Sequence, residues 1–197
     1  MAKINRKYID KHWIVFVLRS LLAGVFGFLL LFGGMADMEG VVVEISIFLL
    51  LMGIVDSVSA LYNSTKKRGW INSVIDAGID VVAAVILLFF AKGSLTNSVV
   101  VLSIYTILSG VIDLFHGFVS TVDPTDRFIR VLAGVCGCVI GIVIFNAGDF
   151  ELTTFVRFFG AYMLIVGITS AIYGVHNREQ NIEDKVARKQ SAKKRKK

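Results

Sequence analysis

Six apolar stretches of about twenty residues, each bounded by short polar segments, dominate the chain. They are Trp13–Gly34, Val41–Tyr62, Trp70–Ala91, Leu95–Phe118, Phe128–Ala147 and Leu152–Gly174. A helix rising 1.5 Å per residue needs about 20 mostly apolar residues to cross a bilayer. The pattern therefore predicts an all-α membrane protein with six transmembrane helices. The connections are short, so consecutive helices are expected to be antiparallel neighbours. Lysine and arginine gather on one side: Lys3, Arg6, Lys7 and Lys11 before the first span, Lys66, Lys67 and Arg68 in the second connection, and Arg127 with Arg130 at the fourth. The first and fifth connections carry acids and no base, and the third has Lys92 alone. By the positive-inside bias both termini are expected in the cytoplasm, with Trp13 and Trp70 as interfacial anchors on that side.

The pattern repeats. LMGIVDSVSALY (51–62), LSGVIDLFHGFV (108–119) and IVGITSAIYGVH (165–176) read alike, and Gly53, Gly110 and Gly167 are spaced by 57 residues each time. The odd spans share LLAGVFG (21–27), DAGIDVV (76–82) and LAGVCGC (132–138). A fixed period of this length marks a repeat architecture. The spans thus form three helical hairpins, about 13–65, 70–120 and 128–176, which enter the membrane in the same direction. An approximate threefold arrangement about the membrane normal is expected. Small residues let helices approach closely in lipid, which assigns Gly53, Gly110, Gly167, Gly137 and Gly141 to helix packing.

Three tandem two-helix repeats, the Ala-Gly pairs at 23–24, 77–78 and 133–134, and the glycines at 53, 110 and 167 resemble the HdeD family. These are bacterial inner-membrane proteins associated with acid resistance. The resemblance covers roughly residues 13–176. It implies a plasma-membrane protein of stress or acid resistance without enzymatic activity, and it brings no catalytic residues.

Composition agrees with a membrane domain of residues 13–176 between a flank (1–12) and a tail (177–197). Mean hydropathy is +0.73 over 197 residues, and charged residues are 18% against about 25% in ordinary soluble domains. A disordered chain, a disulfide scaffold and a soluble enzyme are excluded. The formal charge of +6 comes from residues 178–197, with nine basic and three acidic side chains. Such a tail fits anionic lipid or a docked partner better than nucleic acid, for which no basic face with interleaved aromatics exists. Cys136 and Cys138, two apart in an apolar run, read as packing thiols. No phosphate loop, GxSxG or HExxH occurs, and no cofactor or metal is expected.

The remaining chemistry lies inside the spans, where charged groups are costly and mark function. Arg19 and Asp76 each lie six residues, about 9 Å, inside the near ends of their spans. Asp56 and Asp113 sit at a similar depth and at equivalent repeat positions, with Ser170 in the third repeat. Asp80 is deeper, about 15 Å in, one turn from Asp76. His116 follows Asp113 by three, nearer the water. One arginine thus faces three aspartates with a fourth below. Two readings stand. The groups fasten helices together, beginning with an Arg19–carboxylate pair, or they bind and relay protons, with Asp80 as the deep site and His116 exchanging with the cytoplasm. Toward the other face, Glu44 and Arg157 are expected to pair across the second and sixth spans. Beside the HdeD-like reading, a small transporter or proton channel and a scaffold acting through the basic tail are the alternatives. Partners expected are the bilayer, anionic lipid, a second copy or another membrane protein.

Overall fold

The computed structural model of the chain describes residues 13–33, 38–64, 70–91, 94–120, 124–146 and 152–194. These form six helices: α1 (Trp13–Phe32), α2 (Met38–Ser64), α3 (Trp70–Ile86), α4 (Leu95–Phe115), α5 (Pro124–Asn146) and α6 (Leu152–Lys194). All six are long and apolar enough to cross a membrane, and the described residues contain no strand. Two helices end in wider π-helical turns, α3 at Leu87–Ala91 and α4 at His116–Ser120. Pro124, four residues before the fifth apolar stretch, opens α5. Its missing N–H is one that a helix start leaves unpaired in any case. The basic flanks 1–12 and 65–69 and the side chains of Trp13 and Trp70 lie outside what the structure describes. The tail is not a separate segment: α6 runs unbroken for 43 residues to Lys194.

The helices close into a ring in chain order. The tightest contacts join α2 to α3, α4 to α5 and α6 to α1, while the two helices of one hairpin touch sparsely. The sequence repeat is therefore not the close-packing unit. Glycine is the reason. A Cβ on Gly110 would lie 2.7 Å from the Gly134 carbonyl oxygen and the Cys138 nitrogen. One on Gly167 would lie 2.8 Å from the Gly24 nitrogen and 3.2 Å from the Ser20 carbonyl. One on Gly53 would meet Val81 at 2.7 Å and the Ala77 carbonyl at 3.3 Å. The facing positions are themselves repeat equivalents: Ser20, Ala77 and Gly134, then Gly24, Val81 and Cys138, each 57 apart. One contact is made three times, and the third closes the ring. Gly137 and Gly141 extend the α5 seam against Thr106 and Ser103 of α4.

The interior comes mainly from equivalent positions of the even helices. Val42, Val99 and Val156 are buried, as are Ile45, Leu102 and Phe159, then Leu49, Thr106 and Met163. These layers fill the half of the bundle remote from the termini. The hydroxyls there bond back to their own helices: Ser46 to the Val42 carbonyl, Ser98 to Ser94, Ser103 to Val99, and Thr106 to Leu102. Ser98 alone also reaches another helix, donating to the Ala91 carbonyl at the end of α3 at 3.2 Å; the other three are satisfied within their own helices. Apolar side chains such as Leu21, Phe28, Ile54, Phe89 and Phe145 face outward, as lipid contact requires.

The expected Glu44–Arg157 pair does not form. Both side chains are exposed and no ion pair joins them. They share a depth but not an interface: α2 packs tightly on α3, and α6 on α1. Long side chains near a span end can carry their charge toward the interface instead.

Candidate functional site

The half of the bundle nearer the termini holds the ionisable groups. Arg19 of α1 reaches Asp56 of α2, with Nη1 3.1 Å from Oδ2 and 3.3 Å from Oδ1. Asp56 and Asp80 are 5% and 4% exposed. Asp80 of α3 is held by Tyr105 of α4, whose hydroxyl donates to Oδ1 at 2.9 Å. The buried carboxyls of Asp56 and Asp80 lie within electrostatic reach of each other across the α2–α3 seam. Arg19 lies within electrostatic reach of Asp56, Asp76, Asp80 and Asp113 together. Burial makes such groups expensive, and ion pairing offsets the cost only where geometry is good. Among the described residues three buried side-chain atoms meet no hydrogen-bond partner: Arg19 Nε, Asp80 Oδ2, and Asp56 Oδ2, whose contact with Arg19 is ionic.

A second ion pair changes the count of charges. Arg130 of α5 lies 3.6 Å from Asp113 of α4, and its guanidinium sits 4.9 Å from the centre of the Tyr173 ring of α6. The layer therefore sets two arginines, rather than one, against four aspartates. Arg130 is only six residues from the start of α5, near enough to the basic connection to pass for a mere flanking charge. Tyr105 and Tyr162 were also hidden among aromatic residues. Their signal is the repeat: Phe48, Tyr105 and Tyr162 are equivalent, and the two hydroxyls both find partners, Tyr162 donating to Ser109 Oγ at 3.0 Å. A rim of equivalent pairs lies closer to the termini, with Ser59 Oγ 3.5 Å from Ser73 Oγ and the Phe16 and Tyr173 rings 4.5 Å apart.

His116 is not the water-facing group its position suggested. It is 3% exposed, because α5 packs closely on the π-helical turn that begins there. A Cβ on Gly117 would lie 2.8 Å from Val131. Of the expected cluster, Arg19, Asp56, Asp76, Asp80 and Asp113 are brought together, and His116 is enclosed beside them.

Chemically the site can hold and redistribute protons and charge. Among the described residues no three histidine, cysteine or acidic side chains are grouped to hold a metal ion. Among the described residues no chain of polar side chains continues into the far half, where the buried hydroxyls donate to backbone carbonyls. The two tyrosines separate in their effect. Tyr105→Phe strands Asp80 Oδ1 in a buried site, at a cost of about 1–3 kcal/mol. Tyr162→Phe loses one neutral bond to Ser109, about 0.5–1.5 kcal/mol. Thermal unfolding in detergent should rank them in that order, and the reverse order would remove Tyr105 as Asp80's anchor.

A family model for a short repeat of unknown function (DUF308) matches the chain twice, over residues 75–146 and 132–186. Together the matches cover more than half of the chain. The chain belongs to the DUF308 family. This repeat is the family domain of HdeD-like membrane proteins, in agreement with the resemblance drawn from the glycines and hairpins. The DUF308 matches begin at 75 and 132, again 57 apart, which supports the repeat register independently. No curated protein and no solved structure shows significant similarity to the chain.

Proposed function

We propose that this DUF308 protein is a proton-responsive membrane protein of the stress or acid-resistance type, acting without enzymatic activity in a bacterial inner membrane. Both termini are assigned to the cytoplasm, following the basic residues beside the near ends of the helices. The observation that carries the reading is the buried cluster of two contacts, Arg19 with Asp56 and Tyr105 with Asp80, which draws on four helices on the side of the termini. Intramembrane ionisable groups that face one another inside a bundle are the ordinary basis of proton-linked behaviour. The HdeD-like repeat supports the physiological setting.

The far half, whose buried hydroxyls donate to backbone carbonyls rather than to one another, favours a site that senses protons over one that conducts them. Cells lacking the protein should survive acid exposure less well than wild type, with no difference at neutral pH. Wild-type protein should restore survival and Asp56→Asn should not. Equal survival of the lacking strain would sink the reading. In sealed liposomes under a pH gradient, flux above empty vesicles that Asp80→Asn abolishes would favour the channel alternative instead.

A second reading rests on α6, whose last 18 residues extend about 27 Å beyond His176 as helix. A basic helical extension of that length suits docking to anionic lipid or to a partner. Deleting 178–197 should then abolish function, and Asp56→Asn in the full-length protein should leave it intact.

A further inference from the structure

We propose that Asp80 carries a proton on Oδ2 and donates it to Asp56, so that one shared proton closes a bonded chain Arg19–Asp56–Asp80–Tyr105 across α1, α2, α3 and α4. An ionised carboxylate only accepts hydrogen bonds. Asp80 Oδ1 already accepts from Tyr105. Asp80 Oδ2 is fully buried and meets no donor. Asp56 Oδ2 has, among the described residues, the ionic contact with Arg19 and no hydrogen bond. Both Oδ2 atoms are buried without a hydrogen-bond donor on the closely packed α2–α3 seam, where two acceptor-only carboxylates could not satisfy each other. A proton between them satisfies both, and buried polar groups are satisfied as a rule.

The surroundings decide which residue holds it. Asp56 faces the Arg19 guanidinium at 3.1 Å, so it serves as the charged member. Asp80 has no cation in contact and is turned toward a hydroxyl. The charged and titratable groups around the pair are Arg19 from α1, Asp76 from α3 itself, Tyr105 and Asp113 from α4, Arg130 from α5 and Tyr162 from α6. Gly53 makes the approach possible, since even a Cβ there would sit 3.5 Å from Asp80 Cβ. With the proton in place the α2–α3 seam is bonded. Without it, two carboxylates press together in a low-dielectric site and the seam is pushed apart. The proton is thus a latch between the first two repeats, tight in acid and loosened in base. The latch is closed at neutral pH and stays closed in acid, so it keeps the bundle intact there rather than switching, and it rests on the acid-resistance reading for its physiological sense.

Infrared spectroscopy of the full-length protein in lipid nanodiscs at pH 7 tests it. A protonated-carboxyl stretch that shifts in D2O is expected. Asp80→Asn should lose that intensity, while Asp76→Asn and Asp113→Asn should retain it. No such band, a band undiminished in Asp80→Asn, or an equal loss in Asp76→Asn would overturn the proposal. Folding supplies a second readout. The amide of Asp80→Asn can donate to Asp56 and accept from Tyr105, as the protonated acid does. Its thermal midpoint should match wild type at low pH and lose the wild-type fall on the alkaline side. A midpoint depressed at every pH would also overturn the latch. A normal band with unimpaired acid survival in cells lacking the protein would leave the shared proton standing and remove the acid-resistance role.

Discussion

Gly110→Ala should lower the thermal midpoint in detergent by several degrees, while Gly24→Ala and Gly78→Ala leave it unchanged or raise it. Alanine in a helix interior is favoured over glycine by up to about 1 kcal/mol, so all three substitutions begin with the same gain. What differs is the space each methyl enters. At Gly24 and Gly78 nothing lies within 4 Å of the new Cβ. At Gly110 it meets the Gly134 carbonyl and the Cys138 nitrogen at 2.7 Å. Both obstacles are backbone, so α4 and α5 must separate rather than rotate one side chain. Overpacking of this kind costs about 1–3 kcal/mol and sometimes more. In lipid there is no hydrophobic force to hold separated helices together, so close backbone contact carries an unusual share of the stability. Thermal unfolding of the three variants side by side decides the matter. A Gly110→Ala protein as stable as Gly24→Ala would mean that the α4–α5 seam is looser than its glycines imply.

The number of spans, the 57-residue period and the packing glycines were legible because each leaves a one-dimensional trace. A run of twenty apolar residues needs no tertiary information, and a repeat can be read against itself. Neighbour identity left less trace. In water, an apolar stripe shows which face of a helix is inward. In lipid the outward face is apolar as well, so Leu21 and Leu30 look alike although one is exposed and the other buried. Hence the sequence shows three hairpins, while the tight pairs run between hairpins and close through α6 and α1. Depth arithmetic had the same weakness at the site. It places residues along the membrane normal but not around a helix. Glu44 and Arg157 matched in depth and stay apart. Asp80 looked lower than Asp56, yet both carboxyls are buried within electrostatic reach of each other. The repeat offers a partial remedy: aligning Phe48, Tyr105 and Tyr162 picks out the two hydroxyls that turn into the charge layer.

Arg19→Met should be among the most damaging single substitutions, and pairing it with Asp56→Asn should restore most of the loss. Removing one partner of a buried ion pair leaves the other charge stranded, at about 3–5 kcal/mol. The guanidinium of Arg19 is the cation in contact with Asp56, and the Asp56 side chain is 7% exposed. Asp56→Asn alone strands Arg19 in turn, with its buried Nε already lacking an acceptor. In the double variant neither charge remains, and the amide oxygen still accepts the Asp80 proton. Replacing both members of a buried pair is often neutral or better, so the cycle should show a coupling near the upper end of the usual 0.5–3 kcal/mol. Additive losses would show that Asp56 depends on Arg130 as much as on Arg19. The location of the damage is a further check. On its other side α1 is seated on α6, where Cβ atoms at Gly27 and Gly160 would lie 2.8 Å from Leu164 and 2.9 Å from Leu30. That seam does not involve Arg19. Hydrogen exchange in Arg19→Met should therefore rise along α2 and α3 near Asp56 before it rises where α1 meets α6. Early loss of protection at the α1–α6 seam would mean that the charge layer, rather than the glycines, closes the ring.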